Sequence, residues 1–398
     1  MCERSTEGPD GPWAGGAAGS ARTYTDGGWD GILHRAELTG LVPNATFWYR
    51  CCEAIANANA NAIAISAGTA TVVVAGCAAA SPPAEVRRAR TPPVDGTLPV
   101  TVAAIADLGE NCNRPDGGCG NATIAALGAG ARSGEFAALI HAGDIAYTTG
   151  DQNIWDTYMR EMDPTASAIP YQVCAGNHEH YYNFSGYRHR FSMGAPGGGG
   201  INNLFHSFNV GGVHFAAFSS EHNYSETAEQ VAWLAADLAA VDRAVTPWVV
   251  VFAHRPLYCS TDDYFDCEMN GPNHLGPVIE PILLSNRVDL YLAGHLHNYE
   301  RTWPVSRNGT VVAKSYSGAA STVHVVVGMA GCDEGLTDRW ISPSPTWSAV
   351  RNATLGYAKL RFTSATEMTF EYVESHSGII MDSFTLSRPV PKNQVDPK

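Results

Sequence analysis

The sequence predicts an α/β protein: a two-sheet sandwich flanked by helices, preceded by a partial β-sandwich module. Three observations carry this. Short apolar runs recur from residue 99 onward, each ending in polar residues, as strands buried on both faces do. Segments with a helical apolar period lie between some of those runs. Nearer the start, residues 28–51 alternate apolar and polar positions around a Gly/Pro turn, the pattern of an antiparallel strand pair.

Residues 1–22 are rich in Gly, Ala and Ser and lack an apolar period, so a flexible tail is expected there. The segment GWDGILHRAELTGLVPNATFWYRC, Gly28 to Cys51, supplies strands of a small β module over 23–95. The low-complexity stretch after it has little side-chain volume with which to fill a sandwich core. A half-sandwich exposes unpaired edges, so this module is expected to be poorly ordered. Pro92 and Pro93 stiffen the chain and mark a linker into the main domain, 96–388, with a tail at 389–398. There, seven runs read as strands: PVTVAAIADLGE, AALIHAGDIAY, IPYQVCAGNHE, GVHFAAFSSEH, WVVVFAHRPLY, VDLYLAGHLHNYER and STVHVVVGMAG. A helix is expected over 225–241, capped by Ser225, with Val231, Leu234, Leu238 and Val241 on one face.

At 398 residues the chain suits a large domain plus a smaller one, and 45% hydrophobic with 16% charged residues provides a sizeable core. A formal net charge of -14 repels polyanions, so nucleic acid is disfavoured as a partner. A small anionic substrate stays compatible, because a local metal charge outweighs a screened surface field. No stretch reaches the roughly 18 to 20 apolar residues of a membrane span, and the start shows no signal-peptide pattern. Six sequons, at Asn44, Asn121, Asn183, Asn223, Asn308 and Asn352, together with ten Cys, nevertheless point to the secretory pathway and a secreted or lumenal protein. No C-x-x-C pair occurs, so disulfides are expected rather than structural zinc. Cys112 with Cys119 and Cys259 with Cys267 are spaced to close short loops. Cys174 reads as a buried free thiol, and Cys332 as a candidate bridge between the subunits of a homodimer.

In five of the runs, metal-ligand residue types follow at once: Asp107; Asp144 with Tyr147; Asn177 with His178; His254; His295 with His297. Singly, each has a bland reading, an Asp capping a turn or a satisfied loop histidine. Jointly, they are what converges beyond the carboxyl ends of strands in an open α/β sheet. Glycines at 109, 143, 176 and 294 flank them, where backbone bends beside a buried charge.

These residues make the chain resemble the calcineurin-like metallophosphoesterases: D-x-G at Asp107 and Gly109, G-D at Gly143 and Asp144, G-N-H-E at Gly176 to Glu179, His254, and G-H-x-H at Gly294 to His297. Tyr147 three residues after Asp144, NYER at 298–301 and the late LGYAKLRF narrow the resemblance to purple acid phosphatases, over roughly residues 99 to 388. The resemblance implies a ferric ion on Asp107, Tyr147 and His297, a divalent zinc, manganese or iron on Asn177, His254 and His295, and Asp144 bridging. Hard oxygen donors and a phenolate suit a trivalent ion, imidazoles and an amide a divalent one. It further implies hydrolysis of a small phosphate monoester by attack of a metal-activated hydroxide. Asn177, His178 and His254 would contact the substrate, His178 would be the proton donor, and Glu179 would orient its neighbours.

The pattern departs from plant-type members in YCSTDDYFDCEMN, where they carry a histidine pair and this chain has no histidine before His274. Asp262, Asp263 and Tyr264 either face the substrate or, the favoured reading, belong to a solvated loop closed by Cys259 and Cys267. The family's fibronectin-type-III-like domain is matched only in its later part, from about Arg22 through Thr39 to Arg50, as a truncated start would leave it. Phosphodiester, nucleotide pyrophosphate or phytate hydrolysis on the same centre stays open, as does a non-catalytic binding protein. A serine hydrolase or zincin is set aside, since no G-x-S-x-G occurs and GNHEH is not H-E-x-x-H.

Overall fold

A computed structural model describes residues 2–17, 20–51, 60–66, 69–74, 85–110, 120–193, 203–262, 267 and 275–388. Cys112 with Cys119, Asp263, Tyr264, His274 and the tail at 389–398 lie outside the described residues. Each of the seven apolar runs forms a strand, because an unbroken β-branched and aliphatic run can be buried on both faces. A six-stranded sheet runs in the order Tyr171–Cys174, Ala138–Ala142, Val100–Ile105, Gly356–Phe362, Glu367–Glu374, Ile380–Ser387; its first three strands are parallel. A seven-stranded sheet runs His206–Val210, Val213–Ala217, Trp248–Phe252, Leu290–Ala293, Val323–Val327, Tyr299–Thr302, Ser348–Asn352, with four parallel strands at its centre.

The two sheets face each other across a core of Val102, Ile140, Phe215, Val250, Leu292, Val325, Leu360 and Phe370, among others. The helices Asn121–Ser133, Ile154–Ala166 and Tyr181–Arg190 cover the outer face of the six-stranded sheet. The helices Glu229–Ala240 and Leu275–Ser285 cover the other. This four-layer order leaves the parallel strands of both sheets buried on each side, which is what their sequences demand. Val231, Leu234 and Leu238 are buried as their period predicts. The helix begins later than expected: Ala228 is its N-cap, and Ser225 instead closes a turn by accepting the Ala228 N–H at 2.8 Å.

Residues 1–22, expected as a flexible tail, instead contribute the strands Cys2–Ser5, Ala14–Ala17 and Ser20–Arg22, which join the sheets of the small β module. Two four-stranded sheets are present: Ala14–Ala17, Cys2–Ser5, Thr46–Cys51, Arg87–Arg90, and Ser20–Arg22, Leu33–Thr39, Thr69–Val74, Ala60–Ser66. Cys2–Ser5 pairs antiparallel with Thr46–Cys51, and a Cys2–Cys51 disulfide closes the same register. Cys2, Phe47, Tyr49 and Ala89 from one sheet meet Ala36 and Leu38 from the other. The module also docks on the main domain: Tyr49 Oη donates to the Ser167 carbonyl at 3.1 Å, and Trp29 Nε1 to Asp156 Oδ2 at 3.1 Å.

Cys259 and Cys267 are disulfide-bonded, and Cys174 is a buried free thiol. Cys332 is also free but only 2% exposed, packed beside His297, so burial rules it out as an inter-subunit bridge. Asp262 is exposed and paired with Arg339 at 3.3 Å. Of the six sequon asparagines, five are exposed, while Asn352 is half-buried and accepts the Tyr372 hydroxyl at 3.4 Å.

Three buried histidines, His141, His206 and His324, have their pKa pushed down to about 3 by burial. Neither ring nitrogen of His206 has a hydrogen-bond partner among the described residues. The unfolded chain takes up these protons below about 6.5 and the fold refuses them until about 3, so stability falls as pH drops through that window. The slope is about 1.4 kcal/mol per pH unit for each histidine. His206→Phe, which keeps a ring against Phe208 and Phe252, should therefore shift the acid-unfolding midpoint to lower pH. Tryptophan fluorescence during acid titration checks this; an unmoved midpoint would refute it.

Candidate metal centre

Every ligand-type residue lies two to five positions past a strand end, at one edge where both sheets finish: Asp107 after Ile105, Asp144 and Tyr147 after Ala142, Asn177 after Cys174, His254 after Phe252, His295 and His297 after Ala293. Asp107 (φ 56°), Asp144 (φ 49°), Tyr147 (φ 50°) and His295 (φ 71°) occupy the left-handed region, which non-glycine residues rarely adopt. Strained backbone held by a packed surround is what a functional site stores. The sheets close on each other at Gly294, where an added Cβ would lie 2.4 Å from Asp107 Oδ2.

Asp144 is the hub. Its Oδ2 lies 3.0 Å from His254 Nε2 and 3.5 Å from Tyr147 Oη, and its Oδ1 accepts the His178 backbone N–H at 2.7 Å. Asn177 Oδ1 is 3.0 Å from the same His254 Nε2. Asp144, His254 and His295 thus form one cluster with donor atoms within 4.8 Å of one another. On the other side, Tyr147 Oη meets Asp107 Oδ1 at 3.2 Å and His297 Nε2 at 3.1 Å, and His297 Nε2 is 3.7 Å from Asp107 Oδ1. All seven predicted ligands are therefore brought together.

The surround suits metal ligation. His254 Nδ1 donates to the Ala142 carbonyl at 3.0 Å and His297 Nδ1 to the Gly335 carbonyl at 2.8 Å, so both rings turn Nε2 to the centre, as ligating histidines do. Glu179 accepts three backbone N–H groups, from Asp144 (3.0 Å), Ile145 (2.9 Å) and Gly176 (2.8 Å), and so clips two ligand loops together.

Electrostatics make the same point. Burial, partly offset by His254 and reinforced by Asp144, pushes Asp107 well above the usual carboxylate range. Burial raises Asp144 too, but the charge and hydrogen bond of His254 outweigh it and hold it low; His254 is correspondingly raised. Burial and the charges of Asp107 and Asp144 keep the Tyr147 phenol far above its ordinary value. Two carboxylates at 0% and 1% exposure, with a phenol that only a strong cation would ionise, form a donor set that fits metal ions.

His178 sits at the mouth, its ring 4.1 Å from that of Tyr147 and its Nε2 3.9 Å from Asp144 Oδ2. Two neighbours were not read from the sequence. Glu334 Oε1 lies 3.4 Å from His178 Nε2, and Cys332 Sγ 3.2 Å from His297 Nδ1. With His297 they form a second cluster of metal-ligand types. Both follow the strand Val323–Val327, but Glu334 lies seven positions past its end, beyond the reach of the strand-end pattern that marks the other residues.

Residues 100–299 match the family Calcineurin-like phosphoesterase, and residues 321–383 match Iron/zinc purple acid phosphatase-like protein C. The chain is 35% identical over 280 residues to Acid phosphatase type 7 of Homo sapiens, covering 65% of this chain and 63% of that protein. It is 34% identical over 269 residues to Probable inactive purple acid phosphatase 27 of Arabidopsis thaliana, covering 63% and 43%. The chain thus spans less than two thirds of the length of either relative. Its fold matches the purple acid phosphatase PPD1 from yellow lupin seeds, with TM-score 0.81 over 97% of this chain and 69% of that one, at 23% identity.

Proposed function

Because the chain belongs to the calcineurin-like phosphoesterases and ends in a purple-acid-phosphatase-type segment, we propose that it is an acid phosphatase hydrolysing phosphate monoesters at a dinuclear metal centre. The observation that carries this reading is the convergence of seven ligand-type side chains around Asp144 and Tyr147. Asp107, Tyr147 and His297 are assigned to a ferric ion, Asn177, His254 and His295 to a divalent zinc, manganese or iron, and Asp144 to both. When bound, the two ions would neutralise the phosphoryl oxygens and acidify the attacking water.

The chain supplies the rest. His178 donates a proton to the departing ester oxygen from Nε2, its ring held against Tyr147 and its Nε2 steered by Glu334. Asp144 fixes the His178 backbone, so the donor and the bridging carboxylate keep one geometry. The protein's substrate is a small phosphate ester, and the exposed sequon asparagines with two disulfides support passage through the secretory pathway. Among the described residues no helix is long and apolar enough to cross a membrane.

One preparation tests this. Secreted protein should lose mass on enzymatic deglycosylation, contain iron, absorb broadly in the visible and release phosphate from an aryl phosphate faster at acid than at neutral pH. Tyr147→Phe should lose the visible band, because the phenolate donor is gone. Colourless but active protein would leave a generic metallophosphoesterase. Metal-free protein that stays inactive after reconstitution would overturn the enzymatic reading.

A further inference from the structure

Glu334 stands at the mouth of the centre, on the turn that follows the strand Val323–Val327. Its Oε1 is 3.4 Å from His178 Nε2, and its Oε2 is 3.9 Å from His297 Nε2. The side chain is 46% exposed, so the carboxylate is open to the solvent from which a substrate arrives. The turn beneath it is pinned to the centre: the Cys332 N–H donates to the Asp107 carbonyl at 3.0 Å, and the Gly335 carbonyl accepts His297 Nδ1 at 2.8 Å. Thr337 completes the pinning, its N–H donating to the His297 carbonyl at 3.0 Å and its hydroxyl accepting the His297 N–H at 3.3 Å. A negative charge is thereby held beside His178.

That position matters because of what departs there. Hydrolysis breaks the P–O bond, and the ester oxygen that takes the His178 proton must come within about 3 Å of Nε2. The departing oxygen therefore lies within about 6 Å of the Glu334 carboxylate. An alcohol leaves uncharged once protonated, whereas a leaving group that carries a carboxylate or a second phosphate stays negative and is repelled. The phosphoryl group is common to every substrate, so the repulsion discriminates by leaving group alone. Asp333, the preceding residue, and Asp151 add to the field: with burial, their charges push the neighbouring Glu110 carboxyl above its ordinary value. The distances involved fall inside one Debye length, about 8 Å in physiological salt, so part of the effect survives screening.

We propose that Glu334 sets leaving-group specificity: the enzyme selects phosphate monoesters whose alcohol is neutral or cationic, such as an amino alcohol, and rejects those whose leaving group is anionic. The assignment rests on the reading of this centre as a phosphatase with His178 as proton donor. Selection here works through a repulsive element placed where the wrong leaving group must depart. It also sets this centre apart from pyrophosphate and phytate hydrolysis, in which the leaving group itself carries phosphate.

The test is kcat/KM of the metal-loaded protein for phosphoethanolamine and for phosphoglycolate, two monoesters of similar size whose leaving groups differ in charge, with an aryl phosphate alongside. The wild type should favour phosphoethanolamine, and Glu334→Gln should lower the ratio of the two constants about 5- to 30-fold. Any weakening of proton donation by His178 is common to both substrates and cancels in the ratio. Glu334→Asp, which keeps the charge, should hold the ratio within about 3-fold of wild type. A ratio unmoved in Glu334→Gln, or moved equally in Glu334→Asp, would overturn the proposal, as would a wild type that favours phosphoglycolate. Wild-type protein that holds its metals but releases phosphate from none of the three esters would instead overturn the phosphatase reading, and this assignment with it.

Discussion

Asp144→Asn should lower kcat/KM for an aryl phosphate by about 10³-fold or more, since even groups behind the ligands of a metal site contribute 10- to 100-fold. The orientation of the new carboxamide is dictated by its neighbours. The oxygen must stay where Oδ1 accepts the His178 N–H at 2.7 Å, so the NH₂ takes the place of Oδ2, facing His254 Nε2 at 3.0 Å and Tyr147 Oη at 3.5 Å. An amide N–H cannot ligate a cation there, and the site also loses the negative charge shared between its two clusters. Metal content should fall together with activity, which elemental analysis of the purified variant reads directly. Wild-type turnover in this variant would remove the chemistry from this edge of the sheets altogether.

The convergence of the seven ligand-type residues was legible because each follows an apolar run within a few residues, so one local pattern carries both the strand and the donor side chain. The rule that parallel strands end together groups Asp107 with Asp144 and His254 with His295, but that the two pairs meet depends on how the two sheets face each other. What escaped was set by partners distant in sequence. The strand Cys2–Ser5 has no apolar period of its own and forms because Thr46–Cys51 and a disulfide hold it. Ser225 looked like a cap, yet its own carbonyl closes a turn first. Glu334 was hidden because the strand before it ends in Gly-Met-Ala-Gly-Cys rather than in an obvious ligand.

Glycine packing at the centre leads to the second large expected effect. Gly176 has an extended backbone (φ -110°, ψ -176°) that any residue can adopt, so alanine there meets no conformational penalty of its own. The obstacle is contact: an added Cβ would lie 2.2 Å from Asp144 Oδ1 and 2.3 Å from Asp144 N, distances that force one of them to move. The Asp144 N–H is held by Glu179 Oε2, which also takes the Gly176 N–H, so the two loops cannot part without releasing that carboxylate. Gly176→Ala should therefore displace the shared ligand, lowering kcat at least about 10²-fold, and should cost about 1 to 3 kcal/mol of stability by overpacking. Gly378→Ala is the control. Its Cβ would meet nothing within 4 Å, but its φ of +71° penalises any side chain, so about 1 to 2 kcal/mol of stability should be lost with kcat intact. Denaturant melts and turnover measured on both variants separate the two effects. A Gly176→Ala protein that kept its metal and its kcat would show that Asp144 has slack to retreat, against the tight geometry from which its role as the shared ligand is argued.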